Sequence, residues 1–223
     1  GKNFKLSENG LITTLVCTFD DKVNYALEGS VFIAGAAIQW LRDSLKVIGK
    51  ASETEKIAQS IEKLHDIYVV PAFAGLGAPY WDMYSRGAIF GLTRDTGVDH
   101  IIKATLESLA YQTKDIIDVM EKDSGIKLKS LKVDGGACMN NYLMQFQSDL
   151  LDCEVLRPEI IETTAMGAGY LAGLQSNIWD KDQIIKNQKI DRSFNPTIND
   201  SEREKMYRGW KKAVNRTFNW IEK

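Results

Sequence analysis

The segment Val133–Asn141, VDGGACMNN, carries the strongest chemical signal in the chain. An apolar strand runs into two adjacent glycines, and a helix begins a few residues later. Glycines let a backbone approach a phosphate closely, and the N-terminus of the following helix offers free N–H groups and a positive dipole end. Asn140 stands where that helix starts. Its amide could cap the helix or hydrogen-bond a nucleotide. A plain glycine turn with an Asn cap is the competing reading, and the segment alone does not separate the two. No GxxxxGK[ST] phosphate loop occurs, and the glycines do not follow GxGxxG.

A second segment is Gly35–Trp40, GAAIQW. Inside the helix expected there, Gly35 costs about 1 kcal/mol relative to Ala. Gln39 lies one turn on and shares its face. A flat ligand over Gly35 with Gln39 at its edge would explain the pair. Close helix–sheet packing with an exposed Gln would explain it too. The small residues of Ala165–Gly173, AMGAGYLAG, read as tight packing, with Thr163-Thr164 at the helix start able to approach a ligand. In Gly75–Asp82, GLGAPYWD, aromatics beside a turn could stack on a sugar, but a plug between layers is preferred. Asp82 and Asp134 are carboxylates beside glycine turns, and neither has a partner at a spacing that builds an acid–base pair.

Turn signals and apolar periodicity place these segments. Leu11–Thr18 and Val23–Leu27 are expected to form a hairpin across Asp20-Asp21. Val31–Ile48 has helical spacing on Phe32, Ala36, Leu41, Leu45 and Ile48, with Ser30 as N-cap. A second helix is expected over Ser52–Leu64, with Glu55 closing a capping box. Strands at Tyr68–Phe73 and Gly87–Leu92 flank the Gly/Pro loop. A long amphipathic helix spans about Val98–Lys122 and stops at Gly125. A βαβα series follows: Ser130–Val133, Asn140–Leu151, Cys153–Leu156 and Thr163–Gln175. The stretch Asn177–Asn195 holds a short helix and an edge strand at Lys189–Phe194. The last helix covers about Asp200–Lys223, with Trp210, Val214 and Phe218 on one stripe. The order suggests an α/β mixed sheet flanked by helices in one domain.

The chain has 223 residues, 44% of them apolar, which suffices for a sizeable core. Its net charge of -2 gives no field for nucleic acid or an anionic membrane. No apolar run approaches the ~20 residues of a membrane span, and no secretory leader is visible. Cys17, Cys138 and Cys153 are odd in number and widely spaced, which reads as reduced thiols. His65 and His100 have no second ligand at a metal-binding spacing. The chain opens with Gly-Lys-Asn and soon enters an apolar run, which reads as a piece of something longer.

GAIFGLTRDTGVDHIIKATLE at Gly87–Glu107 resembles the C-terminal signature of the FGGY carbohydrate kinases. SENGLITT at Ser7–Thr14, YALEGSVFIAGAAIQWLRD at Tyr25–Asp43, YVVPAFAGLGAPYWD at Tyr68–Asp82, VDGGACMNNYLMQFQSD at Val133–Asp149 and GWKKAV at Gly209–Val214 are similar to the glycerol kinases within that family. The resemblance covers nearly the whole chain. It implies an actin-like, ribonuclease H-like α/β fold, with residues 1–223 as a C-terminal nucleotide-binding domain ending in a helix at about 200–223. It implies ATP or ADP with Mg²⁺, and glycerol held by an N-terminal domain. Carried over residue by residue, Gly35, Gln39, Gly136 and Asn140 would hold the nucleotide. The family's phosphate loop, its glycerol-gripping Arg-Glu and Tyr, and its Asp-Gln pair with the catalytic base belong to the part before Gly1. The resemblance therefore implies no catalytic residue and no metal ligand here, and an isolated piece that does not phosphorylate glycerol. It also implies a cytoplasmic, homo-oligomeric parent enzyme. Another FGGY sugar kinase and a non-catalytic actin-like assembly module are the alternatives.

Overall fold

The computed structural model describes residues 1–16, 23–62 and 66–222. Cys17, Thr18, the expected turn at Asp20-Asp21, Leu64, His65 and Lys223 lie outside the described residues. The chain forms two compact units, Gly1–Leu128 with Asn199–Lys223, and Lys129–Ile198.

In the first unit, β-branched residues make the strand β1 (Ile12–Val16), which pairs antiparallel with β2 (Asn24–Glu28) in the register Thr14↔Ala26. A shorter helix than expected follows. α1 covers only Gly35–Gln39 and passes into a π turn, Trp40–Ser44. Ala37, Ile38 and Leu41 take the buried face, while Ala36 and Leu45 are exposed. The widened turn shifts the face away from a straight 3.6 period. α2 (Glu53–Ser60) has Ser52 at its N-cap, but no side-chain cap bond forms. Ser52 already has helical angles, φ -65 and ψ -19, whereas a capping side chain needs an extended backbone.

β3 (Tyr68–Val70) and β4 (Ala88–Phe90) pair antiparallel, and β3 is buried throughout. The 27-residue helix α3 (Val98–Ser124) is the spine of this unit. Ile102, Ala104, Leu106, Leu109, Ala110 and Ile116 bury its apolar stripe. It ends where Gly125 takes φ +71, the left-handed cap that L side chains resist. The closing helix α7 (Asp200–Asn215) is shorter than expected and starts on an Asn199 cap to the Glu202 N–H. Trp210 stacks on Tyr111 at 5.2 Å, and its Nε1 donates to buried Asp115 at 2.7 Å. The N-terminal segment is tied to the far end of α3, since Ser7 and Asn9 side chains both donate to the Asp123 carboxylate.

In the second unit, β5 (Ser130–Lys132) runs parallel to β6 (Glu154–Pro158), which pairs antiparallel with β7 (Ile190–Phe194). This sheet is mixed, as expected, while the first unit's strands form two separate antiparallel pairs. A 3-10 turn (Gly136–Met139) leads into α4 (Asn141–Leu151), followed by α5 (Thr163–Gln175) and α6 (Lys181–Asn187). The tight packing expected of α5 is confined to Gly173, which the Trp179 ring covers; most of the helix is exposed.

Candidate functional site

Gly35 and Gln39 are the first and last residues of α1, one turn apart and both exposed. The opposite face is anchored by Ala37 and Leu41, both 0% exposed. Gln112 Nε2 donates to the Ile33 carbonyl at 3.1 Å and holds the chain just before the helix. Trp40, next to Gln39, packs on the Phe73 ring at 5.1 Å. A Cβ built on Gly35 would meet no heavy atom within 4 Å. Close packing therefore gives no reason for this glycine among the described residues.

In the second unit, Val133 N–H bonds the Leu156 carbonyl at 3.1 Å and Gly135 N–H bonds Ile161 at 2.8 Å, fixing the loop after β5. Gly135 adopts φ +75 and ψ 173, a conformation only glycine takes at little cost. That turn of the backbone presents Gly136 to solvent, again with nothing within 4 Å of a built Cβ. Asn140 is extended, and its Oδ1 accepts from the Leu143 N–H at 2.9 Å, so it caps α4. Burial raises the pKa of the Cys138 thiol beneath this turn, and nearby Arg157 partly offsets that.

The two carboxylates beside glycine turns have structural partners. Asp82 accepts from Ser85 Oγ at 2.7 Å and from the backbone N–H of Tyr84 and of Asn219, each at 2.9 Å. Burial pushes its carboxyl up, but these bonds together bring it below the usual carboxylate value. Thr163 Oγ1 donates to Asp134 Oδ2, linking the glycine loop to the start of α5. A cavity of about 660 Å³ opens beside Asp134 and Thr163, with Met166, Gly167, Tyr170 and Ile185 on its walls. That volume falls within the range of small-molecule sites. The aromatics of the GLGAPYWD loop have partners in the chain, although Trp81 stays 44% exposed: Trp81 Nε1 donates to the Gly10 carbonyl at 2.6 Å, and Tyr80 meets Phe218 at 5.6 Å.

Two residues at the glycine turn escaped the sequence reading. Arg157 is buried on β6 and bonds the turn's Cys138 carbonyl, and Asn141 receives both Arg157 and Arg192. The available signal was period-2 alternation: Val155 and Arg157 share the inward face of EVLRP.

Residues 2–176 match the FGGY family of carbohydrate kinases, C-terminal domain. The chain is 60% identical over 221 residues to a glycerol kinase of Alkaliphilus metalliredigens, covering 99% of this chain and 44% of that protein. A glycerol kinase of Alkaliphilus oremlandii is 58% identical over 223 residues, with 100% and 44% covered. The chain thus spans less than half the length of these curated relatives. Plasmodium falciparum glycerol kinase with ADP matches at a TM-score of 0.89 and 39% identity, over 97% of this chain and 44% of that one. A ligand-bound xylulose kinase from Lactobacillus acidophilus, at 21% identity, TM-score 0.75, 91% and 42% covered, shares the fold. With most of the chain, residues 2–176, matched to the family's C-terminal domain and its actin-like, ribonuclease H-like fold reproduced, the chain belongs to the FGGY family of carbohydrate kinases.

Proposed function

We propose that this chain is the C-terminal part of an ATP-dependent glycerol kinase and supplies residues that hold its nucleotide. The observation that carries the reading is the 60% identity to a glycerol kinase across 99% of the chain. Two features of the chain fit a nucleotide. Gly35 and Gly136 leave open space where any other residue would put a side chain. Gln39 and Asn140 place amides one turn and four residues beyond them.

In this reading residues 1–223 serve as one nucleotide-binding domain. Gly35 admits the ligand to the face of α1 and Gln39 bonds its edge. Gly136 offers a bare peptide N–H, and Asn140 reaches the ligand while capping α4. The reaction joins an oxygen of glycerol to the γ-phosphorus of ATP and breaks the bond to the β,γ-bridging oxygen, giving ADP and glycerol 3-phosphate. The hydroxyl proton passes to a base. Asp82 and Asp134 are engaged by their own neighbours, so the base and the glycerol grip are assigned to the part of the relatives that this chain does not span. Mg²⁺ neutralises the phosphates of the bound nucleotide. In this reading the ion would be held mainly by the nucleotide and by that other part. The same reading makes the parent enzyme a cytoplasmic homo-oligomer; among the described residues no helix is long and apolar enough to cross a membrane.

Calorimetric titration of the purified chain with MgADP tests the assignment. One weak site is expected, and Gln39→Ala and Asn140→Ala should each weaken it about tenfold, equivalent to about 1.4 kcal/mol. An unchanged constant in both variants would reject the placement. Glycerol 3-phosphate formed by the chain alone, above contaminant level, would reject assigning the base elsewhere.

A further inference from the structure

Arg157 is a charged side chain in a place where charge is expensive. Its residue is 6% exposed, and a buried guanidinium persists only when its N–H groups find partners. An irregular step in the β6–β7 pairing falls between Arg157 and Pro158, and such a step re-aims a side chain. The partners are specific. Nε and Nη2 donate to Asp191 Oδ2 at 2.8 and 2.7 Å. Nη1 donates to the Cys138 carbonyl and to Asn141 Oδ1, both at 3.1 Å. The guanidinium lies 5.6 Å from the Phe194 ring centroid, and Arg192 lies 4.8 Å from the same ring while donating to Asn141 Oδ1 at 3.2 Å.

The two acceptors flank Asn140 and hold the turn that Gly136 opens. Cys138 is inside the 3-10 turn that starts at Gly136, and Asn141 is the first residue of α4. Asn140 stands between them. The turn's own backbone bonds, Cys138 N–H to Gly135 and Asn140 N–H to Ala137, are both 3.2 Å, and 3-10 geometry is weak by nature. With Nε and Nη2 held on Asp191, Nη1 reaches the Cys138 carbonyl and Asn141 Oδ1 together and fixes what those bonds leave loose. Lysine, a point charge on a flexible stem, cannot hold Asp191 and both acceptors in one fixed plane.

We propose that Arg157 is a positioning residue for nucleotide binding: its guanidinium pins Cys138 and Asn141 so that Gly136 and Asn140 keep one orientation. The proposal rests on the reading that this segment holds the nucleotide. It is tested on the full 223-residue chain by amide hydrogen exchange without ligand and by MgADP titration, with Arg157→Lys and Arg157→Met. Asp191→Asn is a milder second lesion, because Asp191 is 47% exposed. Asp149→Asn is the stability control: Asp149 is buried and accepts from Thr197 N–H and Oγ1, away from the turn.

Arg157→Lys should speed exchange at Ala137–Leu143 while β5 and β6 keep their protection, and should weaken ADP about tenfold, the scale on which supports of ligating groups act. Asp191→Asn should do the same to a smaller degree. Asp149→Asn should lower the melting temperature and leave the ADP constant alone. Unchanged exchange at the turn in Arg157→Lys and Asp191→Asn overturns the proposal whatever the nucleotide does. Faster exchange with an unchanged ADP constant overturns its link to binding. A native chain that binds no ADP overturns the reading beneath it, and the exchange arm, which needs no nucleotide, tells that failure apart.

Discussion

Replacing Gly35 with Ala should make the chain more stable and a poorer binder of ADP. Most glycine substitutions do not pull these two properties apart. At Gly35 the added Cβ meets nothing within 4 Å, and the residue opens a helix. Alanine there stabilises by about 0.5–1 kcal/mol through propensity and a less free unfolded chain. For a chain of this size that is a rise in Tm of about 1–4 °C. Gly136 is equally open, but it sits in a 3-10 turn, so Gly136→Ala should change Tm little. Gly209 is the contrast. Its Cβ would run into the Tyr68 ring, which is held by a hydroxyl bond to the Met206 carbonyl at 3.1 Å and packs near Tyr111 at 5.8 Å. Overpacking of about 1–3 kcal/mol outweighs the helix gain, and Gly209→Ala should melt lower.

The assay is calorimetric melting of each variant with and without MgADP. A ligand at a hundred times its Kd raises stability by about 2.7 kcal/mol, so loss of affinity shows directly as a smaller ligand-induced shift. Gly35→Ala and Gly136→Ala should keep or raise the unliganded Tm and shrink that shift. Gly209→Ala should lower Tm and keep the shift. If both open-site variants retain the full shift, the empty space at Gly35 and Gly136 does not belong to the nucleotide. If Gly209→Ala melts higher, the argument from occupied space fails altogether.

Asn140 can be split into its two roles: Asn140→Ala should destabilise α4 by about 1 kcal/mol through the lost cap, while Asn140→Asp should keep the cap and still lose ADP affinity, which urea unfolding beside titration would separate. Asp115→Ala should cost about 3 kcal/mol in urea unfolding, because Tyr207 and Trp210 lose an acceptor at 2.6 and 2.7 Å. Burial holds the Asp115 pKa above its ordinary 3.8, and Lys211, Tyr207, Trp210 and Tyr80 offset only part of that. The native state therefore binds this proton more readily than the unfolded chain does. The resulting stability is full below the unfolded value and is lost as pH rises through the folded one. The advantage of the native chain over Asp115→Asn should then shrink as pH climbs from about 4, and an advantage that grows would refute the burial argument.

Elements whose apolar spacing matched their burial were legible in the sequence. α3 ran from Val98 to the expected glycine stop, and the polar stretch Asn177–Asn195 held the expected short helix and edge strand, although that strand is mostly exposed. The helix after β2 was not legible, because a π turn at Trp40–Ser44 breaks the 3.6 period that a sequence reading assumes. Ser52 looked like a cap by type, but capping depends on backbone angles that its type does not reveal. The strands were recognised one by one, while their division into separate sheets depends on long-range pairing. Of the candidate site, glycines and amides stood out by breaking local rules. Arg157 did not, since an arginine beside a proline at a strand end looks like an ordinary surface residue until its partners are seen.

That contrast bears on what holds a binding site in place. The glycines that pack, Gly173 under Trp179 and Gly209 against Tyr68, have a reason inside the chain. Among the described residues Gly35 and Gly136 have none, and Gly35 forgoes the stability that alanine would add to a helix. Open space alone does not mark a ligand site, since Gly167 and Gly169 of α5 are equally open; Gly35 and Gly136 are set apart by the amides of Gln39 and Asn140 four residues beyond them. The same logic runs in reverse at Arg157, where a buried charge is retained although a hydrophobic side chain of similar volume would often serve stability as well. Its Nη1 bonds go to the turn that Gly136 opens and to Asn141, on either side of Asn140. In the proposed reading the two open glycines and the costly clamp serve one requirement, a bare backbone held still for a ligand.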